Sequence, residues 1–576
     1  LTPNGKVDRR ALPAPDAIEP QSTPTKTPPQ TENEQRLADI WSQLLGVESI
    51  GSHDNFFELG GDSILAIQVI AKASQVGLHL LPKHLFQHQT IAALAEIANT
   101  ASMPLAEQGK VTGIVPLTPI QRWFFEQELA EPHHWNQSIL LEVQQRLNPA
   151  FLQQAVEQWL EHHDVLRSRF QETSTGWQQT ILSDQETPFL YMDLSVLPVE
   201  LQPRTIEQTA ARLQTSLNLE SGVLLRVAYF DLGGDRPGRL LLIIHHLVVD
   251  GVSWRILLSD LQTVYQQQST GNAIQLPPKT TSFQRWAEAL QQYAQSEFLQ
   301  HEVEYWRHPP FAATPLPLDF PRERNTVAEV QTVSISLSTS DTQALLQDVP
   351  SAYQTQINDV LLTALVQAFE QWTGVTRLWL ELEGHGREEL LEGIEVSRTV
   401  GWFTTLFPVW LELEPDSHPG TALKTIKEQL RQIPKRGMSY GIWRYLSQDA
   451  VKAEFPTPLP QVRFNYLGQT DAGLAQSTLF RPAQEFGGAM RSSKGDRGVL
   501  LEINSRVVAG QLRLDWNYSR SLHRQSTVEF LAEQFLESLR RLIDHCCSPE
   551  AGGYTPSDFP QMQFSQDELD RLLADL

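Results

Sequence analysis

Residues 240–254 read LLLIIHHLVVDGVSW. The aliphatic run lacks polar alternation, which predicts a strand buried on both faces. It ends in His245-His246 and, four residues past the second, Asp250. Polar groups are costly to bury without partners, so the end of this strand either hides a satisfied network or presents a reactive imidazole. Successive strand residues point to opposite faces, so the two histidines cannot look into the same cleft.

Outward from this strand, residues 113–545 mix two periodicities. Runs at 138–144, 223–230, 239–249, 376–382, 405–414 and 500–517 read as strands, and patterns at 148–163, 203–216, 253–268, 340–348, 355–373 and 526–545 read as helices. The alternation predicts an α/β architecture, and its length predicts two lobes, at about 113–280 and 281–545. IQLPPKTTSFQRW at 274–286 is the expected crossover.

Upstream, Leu37, Ile40, Trp41, Leu44 and Leu45 form the apolar stripe of a helix. Residues 63–76 and 90–99 carry similar stripes, with Thr90 as an N-cap. A small all-α bundle is expected over 32–102. Residues 16–31, rich in Pro, Thr and Gln, and residues 103–112 read as linkers, and 1–15 as a separate segment. Residues 546–576 read as a turn-rich connector or docking segment ending in an acidic amphipathic helix.

Sixty-eight acidic residues against 45 basic ones give a formal charge of -23, so there is no basic field for a nucleic-acid partner. Cys546 and Cys547 are the only cysteines, too few for a disulfide framework or a Cys-based zinc site, and they fit a reducing cytoplasm. No apolar stretch approaches membrane-spanning length. The chain starts LTPNGKVDRR, without signal peptide or initiator Met, and reads as a piece of something longer. The pairs His133-His134 and His162-His163 have a poor ligand spacing, so no metal site is expected, and HHDVLRSRF at 162–170 reads as a helix entering a strand with ordinary surface polarity.

Residues 54–65 read DNFFELGGDSIL, with Ser63 at the mouth of a helix behind two glycines. Taken alone, GGDS is a helix cap formed by Asp62 or Ser63. In an acidic bundle between linkers, the stretch resembles the attachment motif of peptidyl carrier proteins from nonribosomal peptide synthetases. That resemblance implies a covalent 4′-phosphopantetheine arm on Ser63, loaded by a phosphopantetheinyl transferase and holding an acyl group as a thioester. LTPNGKVDRRALP at 1–13 resembles the last motif of an adenylation domain, whose lysine would be Lys6. The body of that domain is missing, so amino-acid activation is not expected of this chain.

HHLVVDGVSW resembles the motif shared by condensation and epimerization domains, two-lobed relatives of chloramphenicol acetyltransferase. The resemblance puts His246 in the active site and leaves His245 structural. Asp250 is expected in an ion pair or turn that orients His246. Condensation domains join two carrier-bound substrates, whereas epimerization domains invert one α-carbon. LELEGHGREELLEG at 380–393 resembles the motif typical of the latter, and SRTVGWFTTLFPVWLEL (397–413), PLTPIQRWFFEQ (116–127), PKRGMSYG (434–441) and RFNYLGQ (463–469) match its other motifs in order. GGDS, with Asp62 before the serine, is the form usual in carriers that precede an epimerization domain. An upstream adenylation domain and a downstream condensation domain are the implied partners, beside the chain's own carrier.

Epimerization requires removal of the α-proton and return of one to the opposite face. Glu383 follows an apolar run ending at Leu380, and burial there raises its pKa toward working pH, the property of a general base. Its alternative is an ion pair with Arg387, one helical turn on. His246 is expected to stabilise the enolate as imidazolium or to donate from the opposite side, Asn465 and Tyr466 to polarise the carbonyl or relay a proton, and Trp402 and Phe403 to line the cleft. Two rivals remain. A condensation catalyst would need a second, acceptor carrier, and a non-catalytic recruitment module would need neither Glu383 nor an intact His246.

Overall fold

The computed structural model describes residues 27–98 and 106–574, apart from 235, 308–313, 322–323, 389, 392, 448–459, 470–478, 560 and 563. Lys6 lies outside the described residues.

The N-terminal bundle contains α1 (Glu32–Leu45), α2 (Ser63–Gln75), α3 (Pro82–Gln87) and α4 (Ile91–Ile97). Helix α1 starts where the Thr31 side chain accepts from the Glu34 N–H, and ends at Gly46 in the left-handed region. Its expected stripe is the buried one, with Leu37, Ile40, Trp41 and Leu44 meeting Phe56, Leu65, Val69, Leu85, Ile91 and Leu94. Thr90 caps α4 as its position predicts.

Among the described residues, the α/β block holds strands β1 (Gly113–Val115), β2 (Asn136–Val143), β3 (Ser168–Thr173), β4 (Gly176–Ile181), β5 (Phe189–Asp193), β6 (Leu225–Asp231) and β7 (Arg239–His245), then β8 (Val330–Ser336), β9 (Arg377–Gly384), β10 (Thr405–Glu412), β11 (Val462–Gln469), β12 (Phe480–Pro482), β13 (Leu501–Val508) and β14 (Gln511–Ser519). One sheet runs β12-β2-β7-β6-β5 and the other β10-β9-β11-β13-β14-β8. The lobes are not contiguous in sequence. The 480–491 segment leaves the second lobe, pairs β12 with β2 of the first, and sets Arg491 in a bridge with Trp135. The run expected at 500–517 is a hairpin, because Ala509 and Gly510 both take positive φ and turn the chain between β13 and β14.

Strand β7 is the central buried strand its composition predicts, flanked by β2 and β6 and buried from Leu240 through His245. Helix α5 (Pro119–Glu126) lies near its C-terminal end, while α6 (Pro149–His162), α7 (Gln202–Gln214) and α8 (Gly251–Ser269) cover the faces of its sheet. The carrier bundle is docked on this block: Ile67 of α2 belongs to the large core, and Ile64 packs against it.

One expectation fails here. The 162–170 stretch is not surface-polar: His163, Asp164 and Arg167 are buried, because Asp260 in α8 accepts from His163 Nε2 (3.0 Å) and from Arg398 of the second lobe (2.6 Å). The C-terminal segment is anchored in part. Lys427 reaches Asp558 at 2.7 Å, Thr555 is buried, and the Gly553 N–H bonds the Ala352 carbonyl, so residues 553–558 are packed onto the second lobe before the helix Gln566–Ala574.

Candidate active site

The two histidines at the end of β7 part as strand geometry requires. His245 is fully buried, with Nε2 on the Pro132 carbonyl (2.8 Å), Nδ1 accepting from the Leu247 N–H, and its ring edge-on to Phe124. Burial pushes its imidazole down to about 3, so it is a neutral structural side chain.

The tautomer of His246 follows from its partners. Trp254 Nε1 can only donate and reaches Gln137 Oε1 at 2.8 Å, so the Gln137 amide nitrogen faces His246 Nε2, 3.0 Å away. His246 Nδ1 then donates to the Val249 carbonyl (2.9 Å), leaving a lone pair on Nε2. Burial, reinforced by the Arg491 charge, pushes His246 down to about 4. Of the two expected roles, imidazolium or donor from the opposite side, the resting state is a neutral imidazole, its ring tilted against Trp402 with centroids 4.3 Å apart.

Asp250 is an anchor. Its Oδ1 caps α8 by accepting from the Ser253 N–H (2.7 Å), and its Oδ2 accepts from the Phe403 N–H of the other lobe. Arg387 clamps both oxygens at 3.1 and 3.2 Å, donates to the Val396 and Thr399 carbonyls, and stacks over Phe403. Glu383 is thus not the partner of Arg387. The reason is local: 377–384 is a strand, not a helix, and the chain turns sharply at Gly386, where a Cβ would lie 1.7 Å from the Phe403 carbonyl oxygen. Phe403 is accordingly part of this anchor, whereas Trp402 is cleft wall.

Glu381 and Glu383 alternate with Leu380 and Leu382 along β9, which puts both carboxylates on one face. Strand β11 runs parallel with Arg463 opposite Glu381, so the next register pair aligns Asn465 with Glu383. Arg463 pairs with Glu381 at 2.5 Å, and Asn465 Nδ2 donates to Glu383 at 2.7 Å. On β13, burial acts to raise Glu502, but the charges of Arg491, Arg463 and Arg497 prevail and hold it below the usual carboxylate range. Glu383 receives no guanidinium hydrogen bond among the described residues. Burial pushes it up to about 7; Arg463 and Arg491 oppose that, and Glu502 and Glu381 add to it. The Arg491 charge is felt by both His246 and Glu383.

Tyr466, the next residue on β11, goes elsewhere. Its hydroxyl is buried beside Asp62 and Arg255, at the carrier contact, and burial together with the Asp62 charge raises it well above the ordinary tyrosine value. The structure thus joins Glu383 and Asn465, places His246 against Gln137, Val249 and Trp402, and sets Tyr466 apart. The sequence reading missed Gln137, Trp254 and Arg491. The first two carry no local signal beyond polarity, and Arg491 lies in irregular chain.

In the carrier, Asp62 rather than Ser63 caps α2, accepting from the Ile64 and Leu65 N–H groups at 2.9 and 2.8 Å. The hydroxyl of Ser63 is not spent on the cap and remains partly exposed. Gly61 lets Phe56 close beneath this turn, since a Cβ there would fall 2.3 Å from the Phe56 ring. An unspent hydroxyl on a rigid helix start, at the domain contact, fits a covalently attached arm. His162, His163 and Asp260 have ligand atoms within 4.8 Å of one another, but Asp260 already bonds Arg398 and His163, a donor set suited to an ion-pair network. No helix among the described residues is long and apolar enough to cross a membrane.

Residues 111–564 match the condensation-domain family, and residues 35–98 match the phosphopantetheine attachment site family. Linear gramicidin synthase subunits C and D of Brevibacillus parabrevis are each 50% identical over 100% and 99% of the chain. The chain spans 8% and 11% of their lengths. Among solved structures, the epimerization domain from the third module of tyrocidine synthetase B is similar with TM-score 0.72 and 37% identity, covering 77% of this chain and 99% of that one.

Proposed function

This chain belongs to the condensation-domain family of nonribosomal peptide synthetases, with a carrier domain for covalent 4′-phosphopantetheine ahead of the enzymatic block, and from that premise we propose that it inverts the α-carbon, L to D, of an aminoacyl or peptidyl thioester on its own carrier. The observation that carries this reading is Glu383, a partly buried carboxyl pushed up to about 7 with an amide rather than a cation as its hydrogen-bond partner. Proton transfer at carbon uses such a group; amide-bond formation does not require one. The similarity to the tyrocidine synthetase epimerization domain supports the same reading.

When bound at Ser63, the arm supplies a thioester whose carbonyl acidifies the adjacent α-hydrogen. Glu383 takes that hydrogen, as a stronger base than an ordinary glutamate that is still partly ionised near neutrality. Asn465 fixes the position of the carboxylate. Negative charge growing on the substrate oxygen meets the Arg491 guanidinium in a site closed to water by Trp402. On the opposite wall, His246 Nε2 gives up its Gln137 hydrogen bond to take a proton from solvent and returns it to the other face of the α-carbon, while Glu383 passes the abstracted proton to solvent. Asp250 and Arg387 keep the two walls in register.

On this reading residues 32–102 are the carrier and 113–545 the epimerization domain, loaded through a phosphopantetheinyl transferase in the cytoplasm and working between an upstream adenylation and a downstream condensation domain. The test loads the carrier with an L-aminoacyl group in D2O and follows α-deuterium uptake and the L/D ratio. Glu383→Gln is expected to slow both by about 10²–10⁴-fold. His246→Ala is expected to lose inversion while retaining more exchange than Glu383→Gln. Undiminished exchange and inversion in both variants would remove these residues from the chemistry.

A further inference from the structure

The carrier contact contains polar groups that the proposed proton transfer does not use. Gln469 Nε2 donates to the Gly60 carbonyl at 2.8 Å, and Arg255 Nη2 donates to the Gln469 carbonyl at 3.1 Å, so α8, the end of β11 and the GGDS turn are tied together. Three sealed atoms beside this link have no hydrogen-bond partner among the described residues: Arg255 Nη1, the Tyr466 hydroxyl and Asp62 Oδ2. Their side chains feel one another electrostatically, and Asp62 is itself nine-tenths buried. Buried donors left unmade are costly and rare, and here two of them face Asp62, the residue before Ser63.

We propose that Arg255 Nη1 and the Tyr466 hydroxyl together bind the phosphodiester of the arm on Ser63. A phosphodiester offers one negative charge and two non-bridging oxygens, matching one guanidinium N–H and one phenol O–H. Asp62 spends its Oδ1 on the α2 cap; burial raises its carboxyl while the Arg255 charge opposes that, so Asp62 faces the guanidinium at the contact. The clamp fixes where the arm enters the cleft, making Arg255 and Tyr466 positioning residues. The inference rests on Ser63 as the attachment point and holds whichever reaction follows.

The test is phosphorus NMR of the whole chain carrying the unacylated arm. In the wild type the phosphodiester resonance is expected to be displaced and broadened relative to its free value, that of the same serine-linked phosphodiester in the denatured chain. Tyr466→Phe, which removes one oxygen and leaves the fold, is expected to move the resonance part of the way to the free value, and Arg255→Ala to move it further. Glu383→Gln is expected to leave it unchanged while slowing α-deuterium uptake into the aminoacylated chain, which separates failure of this inference from failure of the proposed reaction. Carrier-tethered turnover is expected to fall by about tenfold or more in Arg255→Ala. A wild-type resonance at the free position, or one insensitive to Tyr466→Phe and Arg255→Ala, would overturn the clamp.

Discussion

Asp250 is a buried carboxylate and Glu383 a partly buried one, each in a glycine-containing motif at the junction of the lobes, and the protein treats them in opposite ways. Asp250 is saturated: two backbone N–H groups and both edges of contact with Arg387 consume its oxygens, and it ties the helix after β7 to the Phe403 loop. Glu383 receives a single amide and feels two arginines, Arg463, which hydrogen-bonds Glu381, and Arg491, which lies over Trp135. An acid that is fully paired holds the structure, and an acid that is partly buried and underpaired is held ready to exchange a proton.

The sharpest way to break this contrast is to exchange the consequences. Asp250→Ala leaves the Arg387 guanidinium buried without its counter-charge and is expected to cost about 3–5 kcal/mol of stability, read from denaturant midpoints. Glu383→Gln is expected to do the reverse. Because the carboxyl is raised from 4.5 to about 7 in the folded chain, the folded state holds the proton longer than the unfolded one, so wild-type stability falls as pH rises from about 4.5 through 7 and then levels. Glutamine has no such loss, and at pH 8 the variant is expected to be more stable by roughly 3 kcal/mol or less. A Glu383→Gln chain destabilised at pH 8 would mean that Glu383, like Asp250, is a structural anchor. The smallest effect concerns Asn465. Its amide favours the charged carboxylate, so Asn465→Ala is expected to move the midpoint of the activity profile upward by up to about one pH unit.

Much of this arrangement is legible in the sequence, for identifiable reasons. The continuous aliphatic run of β7 predicts a central strand, and strand alternation then separates His245 from His246. The apolar run before Glu383 signals its burial. Other features depend on partners that no local pattern encodes. His163 meets Asp260, 97 residues on, so a polar stretch became a buried network. The three-residue β12 is too short to show a period, and that strand carries Arg491 across to the histidine side. Tyr466 differs from Asn465 by one strand position, and that position turns it from the cleft toward the carrier. The protonation of His246 depends on Gln137 and Trp254, which come together only in the folded chain.

The account's central claim is that proton transfer runs through an underpaired Glu383. It is tested most directly by measuring α-deuterium uptake into the carrier-bound aminoacyl thioester between pH 5 and 9. The account predicts a rate that climbs with pH and levels above an inflection near 7, with the inflection absent from the residual rate of Glu383→Gln. An inflection near 7 that survives in Glu383→Gln, or a rate with no dependence on pH across that range, would contradict it.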